Sequence, residues 1–138
     1  MQLRLIIRAA LAAFCLSGCA TPFRAPADAA HIILERVDSS VVVVEKIWLE
    51  RKNGPLAVTG YVIKRLDADD TTKTHLDVTL FDLSGRVLRS TVEHFEPADI
   101  RPRWRRHSDA RYRVEISTPA GEIARIEVRA HEGAHPGA

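Results

Sequence analysis

The sequence predicts an all-β fold, a small antiparallel sandwich of two sheets preceded by an N-terminal export segment and a short tether. Three observations predict it. Apolar and polar residues alternate, as in Val114-Glu115-Ile116-Ser117 and Ile126-Glu127-Val128-Arg129, which gives a strand one face for the core and one for water. β-Branched residues crowd the same stretches, and Val41 to Val44 in particular suits a strand and resists a helix. Turn-forming residues separate the runs at Asn53-Gly54-Pro55, Asp67 to Asp70, Ser84-Gly85 and Pro119-Ala120-Gly121. A chain of 138 residues suffices for one such domain.

The first element is not part of the fold. Met1-Gln2-Leu3-Arg4 with Arg8 supplies a positive end, and Leu5 to Leu16 supplies an apolar middle broken only by Arg8. Small residues Ser17-Gly18 follow. This is the layout of a signal peptide over residues 1–18, with an apolar stretch too short for a permanent membrane helix. Leu16-Ser17-Gly18-Cys19 resembles the lipobox of bacterial lipoproteins. The resemblance implies a diacylglyceryl group on the Cys19 sulfur, cleavage before that residue and acylation of the new amino group. Ala20, where aspartate would favour retention in the inner membrane, implies by the same resemblance an outer-membrane location facing the periplasm. Each buried acyl methylene contributes about 0.8 kcal/mol to such an anchor.

Processing changes the chemistry available. Cys15 leaves with the signal and Cys19 carries lipid, so disulfides, thiol catalysis and cysteine-ligated metals are excluded from the mature domain. Losing Arg4 and Arg8 takes Lys plus Arg from 20 to 18, against 18 Asp plus Glu. The mature chain is therefore neutral, and its charge balance names no partner.

Residues 19–31 read as anchor and tether, with Pro22 and Pro26 opposing regular structure and room for one helical turn after Pro26. The domain follows over 32–131. Strands are expected near 41–50, bent at Glu45-Lys46, and near 56–65, 75–82, 86–94, 110–118 and 123–130, with a further one near 32–37. In the fifth, Tyr112, Val114 and Ile116 face inward and Arg111, Arg113 and Glu115 outward. In the sixth, Ala124, Ile126 and Val128 face inward. Leu83-Ser84-Gly85-Arg86 closes a tight hairpin, and Phe95-Glu96-Pro97 starts a crossing loop. A loose tail is expected from His131, with the domain boundary at 132–138.

Val58-Thr59-Gly60-Tyr61-Val62, followed by Val78-Thr79-Leu80-Phe81-Asp82-Leu83-Ser84-Gly85, resembles the FxLYD-type immunoglobulin-like modules of bacterial envelope proteins. Phe81 stands where tyrosine is usual in that pattern. The resemblance spans about a third of the mature chain. It implies an immunoglobulin-like sandwich and brings no catalytic residues with it.

The densest chemical feature is Arg101-Pro102-Arg103-Trp104-Arg105-Arg106-His107. Four arginines around an indole make a possible contact patch for phosphate groups. They read equally as a solvated loop, since arginine is this chain's default cation and Glu93, Glu96 and Asp99 lie just upstream. His75 and Asp77, two apart on one strand, share a face, and His94 could join them in suitable register. No zinc-like ligand spacing accompanies them, His131 and His135 fall in the expected tail, and the lone methionine is the start residue. Asp67, Asp69 and Asp70 lack the order of a calcium loop. None of the serines sits in a nucleophile elbow, and adjacent His107-Ser108-Asp109 cannot form a triad with one another. Trp48, Trp104, Tyr61, Tyr112, Phe81 and Phe95 read as core or rim packing.

The sequence thus points to a membrane-anchored, non-enzymatic envelope module that needs no metal or cofactor and does not bind nucleic acid. Its partners would be the membrane, through Cys19, and an envelope protein, through Arg101, Arg103, Trp104, Arg105 and Arg106. The alternative is a periplasmic carrier or chaperone for a small ligand, lipid or metal.

Overall fold

Seven runs of alternating residues become seven strands. The computed structural model describes residues 23–101 and 109–133. A single turn of 3-10 helix at Ala27–Ala29 leads into β1 (Ile33–Val37), β2 (Val42–Glu50), β3 (Leu56–Lys64), β4 (Thr74–Phe81), β5 (Val87–Glu93), β6 (Asp109–Ile116) and β7 (Arg125–Glu132). They form a four-stranded sheet in the order β1-β7-β4-β5 and a three-stranded sheet in the order β2-β3-β6. The strands thus divide four plus three, as in immunoglobulin-type sandwiches, but in a different order. The inner faces meet in one core, with Leu76, Val78, Leu80, Ile126 and Val128 on one side and Val42, Val44, Val58, Val62 and Val114 on the other.

β6 shows why alternation decides the fold. Ala110, Tyr112, Val114 and Ile116 are buried while Arg111, Arg113 and Glu115 are exposed. The period of two leaves no other division of that strand between core and water.

One pairing departs from the antiparallel expectation: β1 runs parallel to β7, Ile33 opposite Arg125 and Val37 opposite Arg129. The chain leaves β1 for the opposite sheet instead of turning back, so β1 lies at an edge beside the last strand. The C-terminal end also differs from expectation. β7 continues through His131 and Glu132, because Thr74 and His75 of β4 pair with them. Glu132 accepts hydrogen bonds from Ser40 N at 3.1 Å and Ser40 Oγ at 2.7 Å. Residues 27–31, expected as tether, belong to the folded body, with Ala29 fully buried.

The connections are fixed by specific polar contacts. In the β4–β5 hairpin, Asp82 Oδ1 accepts from Ser84 N, Ser84 Oγ and Arg86 N, and Gly85 takes a left-handed φ of 81°. The longer β5–β6 connection is held to the β3–β4 loop by buried Thr71, whose Oγ1 donates to Ala98 O at 2.6 Å and accepts from Ile100 N at 2.9 Å. Phe95 and Ile100 from this connection enter the core. Glu96 and Arg111 exchange two backbone hydrogen bonds of 2.8 Å.

β2 contains the irregularity on which the molecule turns. Val44 pairs with Val62 and Lys46 with Tyr61, so Glu45 is an extra residue, a β-bulge. Tyr112 fills the space beneath it. Its ring crosses Gly60 and its hydroxyl donates to Lys46 O at 3.4 Å. Burial raises the pKa of this phenol. A Cβ on Gly60 would stand 2.1 Å from Lys46 O and 2.2 Å from the Tyr112 hydroxyl. Neither a backbone carbonyl nor a buried ring can yield that much. Gly60→Ala is accordingly expected to destabilise the protein by about 3 kcal/mol, the upper end for overpacking. Tyr112→Phe should cost about 1 kcal/mol through the lost hydroxyl contact. Denaturant midpoints of the two variants check this ranking, which reverses if the close approach is unimportant.

Candidate functional site

The bulge inverts the faces of β2. Before it Val42 and Val44 point inward; after it Ile47 and Leu49 do, which sends Trp48 and Glu50 to the outer face of the β2-β3-β6 sheet. Tyr61, Thr59 and Ala57 of β3 share that face, as do Arg111, Arg113 and Glu115 of β6. An indole on an outer face needs cover, and Phe23 provides it. Its ring stacks on Trp48 with centroids 4.5 Å apart and planes inclined by 24°. The Tyr61 ring also lies against the indole, with centroids 5.3 Å apart and planes inclined by 43°. Trp48 is only 6% exposed, whereas Phe23 is 63% exposed. Such aromatic pairs contribute about 0.5–1.5 kcal/mol beyond their burial.

Phe23 is held there by the segment that follows it. Asp28 Oδ2 pairs with Arg51 Nη2 at 2.7 Å. Ala29 and Ile32 are buried against the core. His31 Nε2 lies 3.2 Å from Ala120 O and 3.1 Å from Ile123 O. Between this segment and the sheet runs an open groove of about 660 Å³, floored by Trp48 and Tyr61 and rimmed by Arg24, Lys52 and Arg111. The Arg111 guanidinium stands 5.8 Å from the centre of the Tyr61 ring, within the range of a cation–π contact.

Electrostatically the groove has one anionic side chain, Glu50, set low in its wall. Partial desolvation pushes the Glu50 carboxyl up, but the hydrogen bond from Arg113 and the Lys52 charge help bring it below its ordinary value. Arg113 Nε lies 3.2 Å from Glu50 Oε1, and Lys52 Nζ 3.5 Å from Oε2. Arg51 is engaged by Asp28. Arg24 and Arg111 are left as rim cations without a carboxylate partner among the described residues.

The residues singled out in the sequence fall elsewhere. Cys19, Arg103, Trp104, Arg105 and Arg106 lie outside the described residues. Arg101 is exposed and paired at 2.7 Å with Asp99, whose hydrogen bond and charge raise the guanidinium's pKa. Of the acidic residues upstream, Asp99 therefore engages the start of that cluster.

His75, His94 and His131 form a row on the outer face of the other sheet, with ring centroids 5.2 Å apart for His75 and His131 and 6.3 Å for His75 and His94. Asp77 Oδ1 is 3.7 Å from His75 Nε2. The expected juxtaposition of His94 with His75 is present, and His131 joins because β7 is longer than anticipated. Among the described residues, no group of three or more His, Cys, Asp or Glu side chains is arranged to hold a metal ion. Of the acidic turn, Asp70 spends its carboxylate on Thr72 N and Thr72 Oγ1, both at 2.8 Å.

Tyr112, as its strand phase suggested, and Phe95, from the β5–β6 connection, are core residues. Phe81 lies on the outer face of the four-stranded sheet, with the Arg125 guanidinium 3.7 Å from its ring centre. The groove residues Phe23, Arg24, Trp48, Tyr61 and Arg111 were not singled out as a site. The available signal was the interval from Val44 to Ile47, three positions where an uninterrupted strand would give two. A comparison with known proteins finds no matching family model, curated protein or solved structure.

Because the folded pKa of Glu50 lies below its unfolded value, its contribution to stability is present above that unfolded value, 4.5, and is lost as pH falls through the folded one. Glu50→Gln is expected to lower stability at pH 7 by about 1 kcal/mol. It should also flatten the decline of stability on acidification below pH 4.5. Thermal melts of both proteins across that range measure the two slopes, which coincide if Glu50 is uninvolved.

Proposed function

We propose that this chain is a membrane-anchored, non-enzymatic envelope lipoprotein that works as an interaction or accessory module, with its domain on the periplasmic side of the outer membrane. The observation that carries the reading is the position of the anchor signal relative to the docked segment. Three residues separate Cys19 from Phe23, and the four residue-to-residue steps reach about 14 Å at full extension. A lipid on Cys19 would hold the Trp48–Tyr61 face close to the bilayer surface and leave the opposite sheet turned toward the periplasm. Arg101, Arg103, Trp104, Arg105 and Arg106 are the residues proposed to contact a protein partner. The groove favours the alternative, a carrier or chaperone for a small ligand or lipid, since about 660 Å³ is within the usual size of small-molecule sites.

Two measurements test the reading. The intact mass of membrane-extracted protein should correspond to a chain beginning at a diacylglyceryl-modified Cys19, and Cys19→Ser should abolish both modification and processing. Brief crosslinking followed by affinity capture of the tagged, lipidated chain should enrich one stoichiometric envelope protein. That protein should be lost in the quadruple Arg→Ala variant at 101, 103, 105 and 106. An unmodified Cys19 contradicts the anchorage, and enrichment no greater than the Cys19→Ser background contradicts the accessory role.

A further inference from the structure

We infer that the groove between residues 23–26 and the outer face of the β2-β3-β6 sheet is a binding site for the phosphate-bearing headgroup of an anionic phospholipid, drawn from the membrane to which the chain is anchored. The inference deepens the anchorage reading and rests on it for the source of the lipid. The recognition chemistry stands on the groove itself. Arg24 and Arg111 both line the groove with Trp48 and Tyr61, and neither is engaged by a carboxylate among the described residues. Planar guanidinium groups bind phosphate oxygens through paired N–H donors. Lys52, 71% exposed and only loosely paired with Glu50 at 3.5 Å, adds a third positive charge at the rim.

The apolar part of the groove suits the other half of a lipid. Phe23 presents its outer ring face to solvent while its inner face stacks on Trp48. Trp48 and Tyr61 pair an apolar ring with a polar tip, the combination that settles at the boundary between headgroups and acyl chains. The short reach from Cys19 to Phe23 brings this floor to that boundary. A lipid bound there would orient the domain by a second attachment beside the first. Glu50, also in the lining, is engaged by Arg113 at 3.2 Å, which leaves the rim cations as the phosphate ligands.

The test uses the lipidated full chain in phosphatidylcholine nanodiscs and follows the Trp48 indole resonance, assigned with the Trp104→Phe variant. The probes are dihexanoyl phosphatidylglycerol, dihexanoyl phosphatidylcholine and inorganic phosphate. Phosphatidylglycerol should shift the resonance saturably, with an apparent affinity at least tenfold above that of either other probe. Arg24→Gln/Arg111→Gln should weaken it at least tenfold with an unchanged melting temperature. No saturable shift, or equal responses to the two lipids, overturns the site. An equal response to inorganic phosphate overturns the lipid as occupant. The intact mass at Cys19 is read separately, so failure of the anchor and failure of the groove are distinguishable.

Discussion

The structure depends on one extra residue, Glu45, and on the tyrosine packed beneath it. A strand that kept strict alternation from Val42 would turn Lys46, Trp48 and Glu50 into the core. Burying a lysine and a glutamate there without partners would cost several kcal/mol for each charge. The bulge removes the conflict by shifting the phase, so that Ile47 and Leu49 take the inward positions. The shift opens a space on the inner side of the sheet. Tyr112 fills it, and only a residue without a side chain at position 60 lets the ring approach. Bulge, tyrosine and glycine are thus one device, contributed by three adjacent strands.

The same device creates the groove. A tryptophan displaced to an outer face leaves a large apolar surface in water unless something covers it. Here the cover comes from the segment before β1, through Phe23, with Asp28, Ala29 and His31 fixing its path. What reads in sequence as a spacer is therefore one wall of a binding surface. The opposite sheet meets the same problem differently. Its outer face carries Glu35, Arg125, Glu127 and Arg129 in linked ion pairs, with Arg125 also over Phe81. One outer face is laced with charge and solvated; the other is aromatic and concave.

Much of the fold is legible in the sequence because a half-buried strand writes its orientation in alternate residues. β6, the hairpin at Ser84-Gly85, the single turn after Pro26 and the bend at Glu45-Lys46 follow from residue type and spacing. The parallel pairing of β1 with β7 does not, since it depends on the path the chain takes between sheets. His131 was obscured by Gly133, Pro136 and Gly137, whose composition signals a loose end although β4 continues to pair beside it. The site was hidden for a related reason. Arg101 to Arg106 attract notice through density, yet Arg101 is engaged by its neighbour Asp99. Arg24 and Arg111, far apart in sequence, line one groove beside the stacked Phe23 and Trp48. Density along a chain is a poor guide to convergence in a β protein, where neighbours in space come from different strands.

The central claim is that residues 23–32 are part of the folded domain and hold Phe23 against Trp48. Its most direct test is the nuclear Overhauser effect between the two rings in the isotope-labelled, full-length protein. The account predicts cross-peaks from the Phe23 ring protons to the Trp48 indole with intensities comparable to those between Trp48 and Tyr61. Cross-peaks between Trp48 and Tyr61 with none to Phe23 would contradict it, leaving a free tether and an uncovered indole.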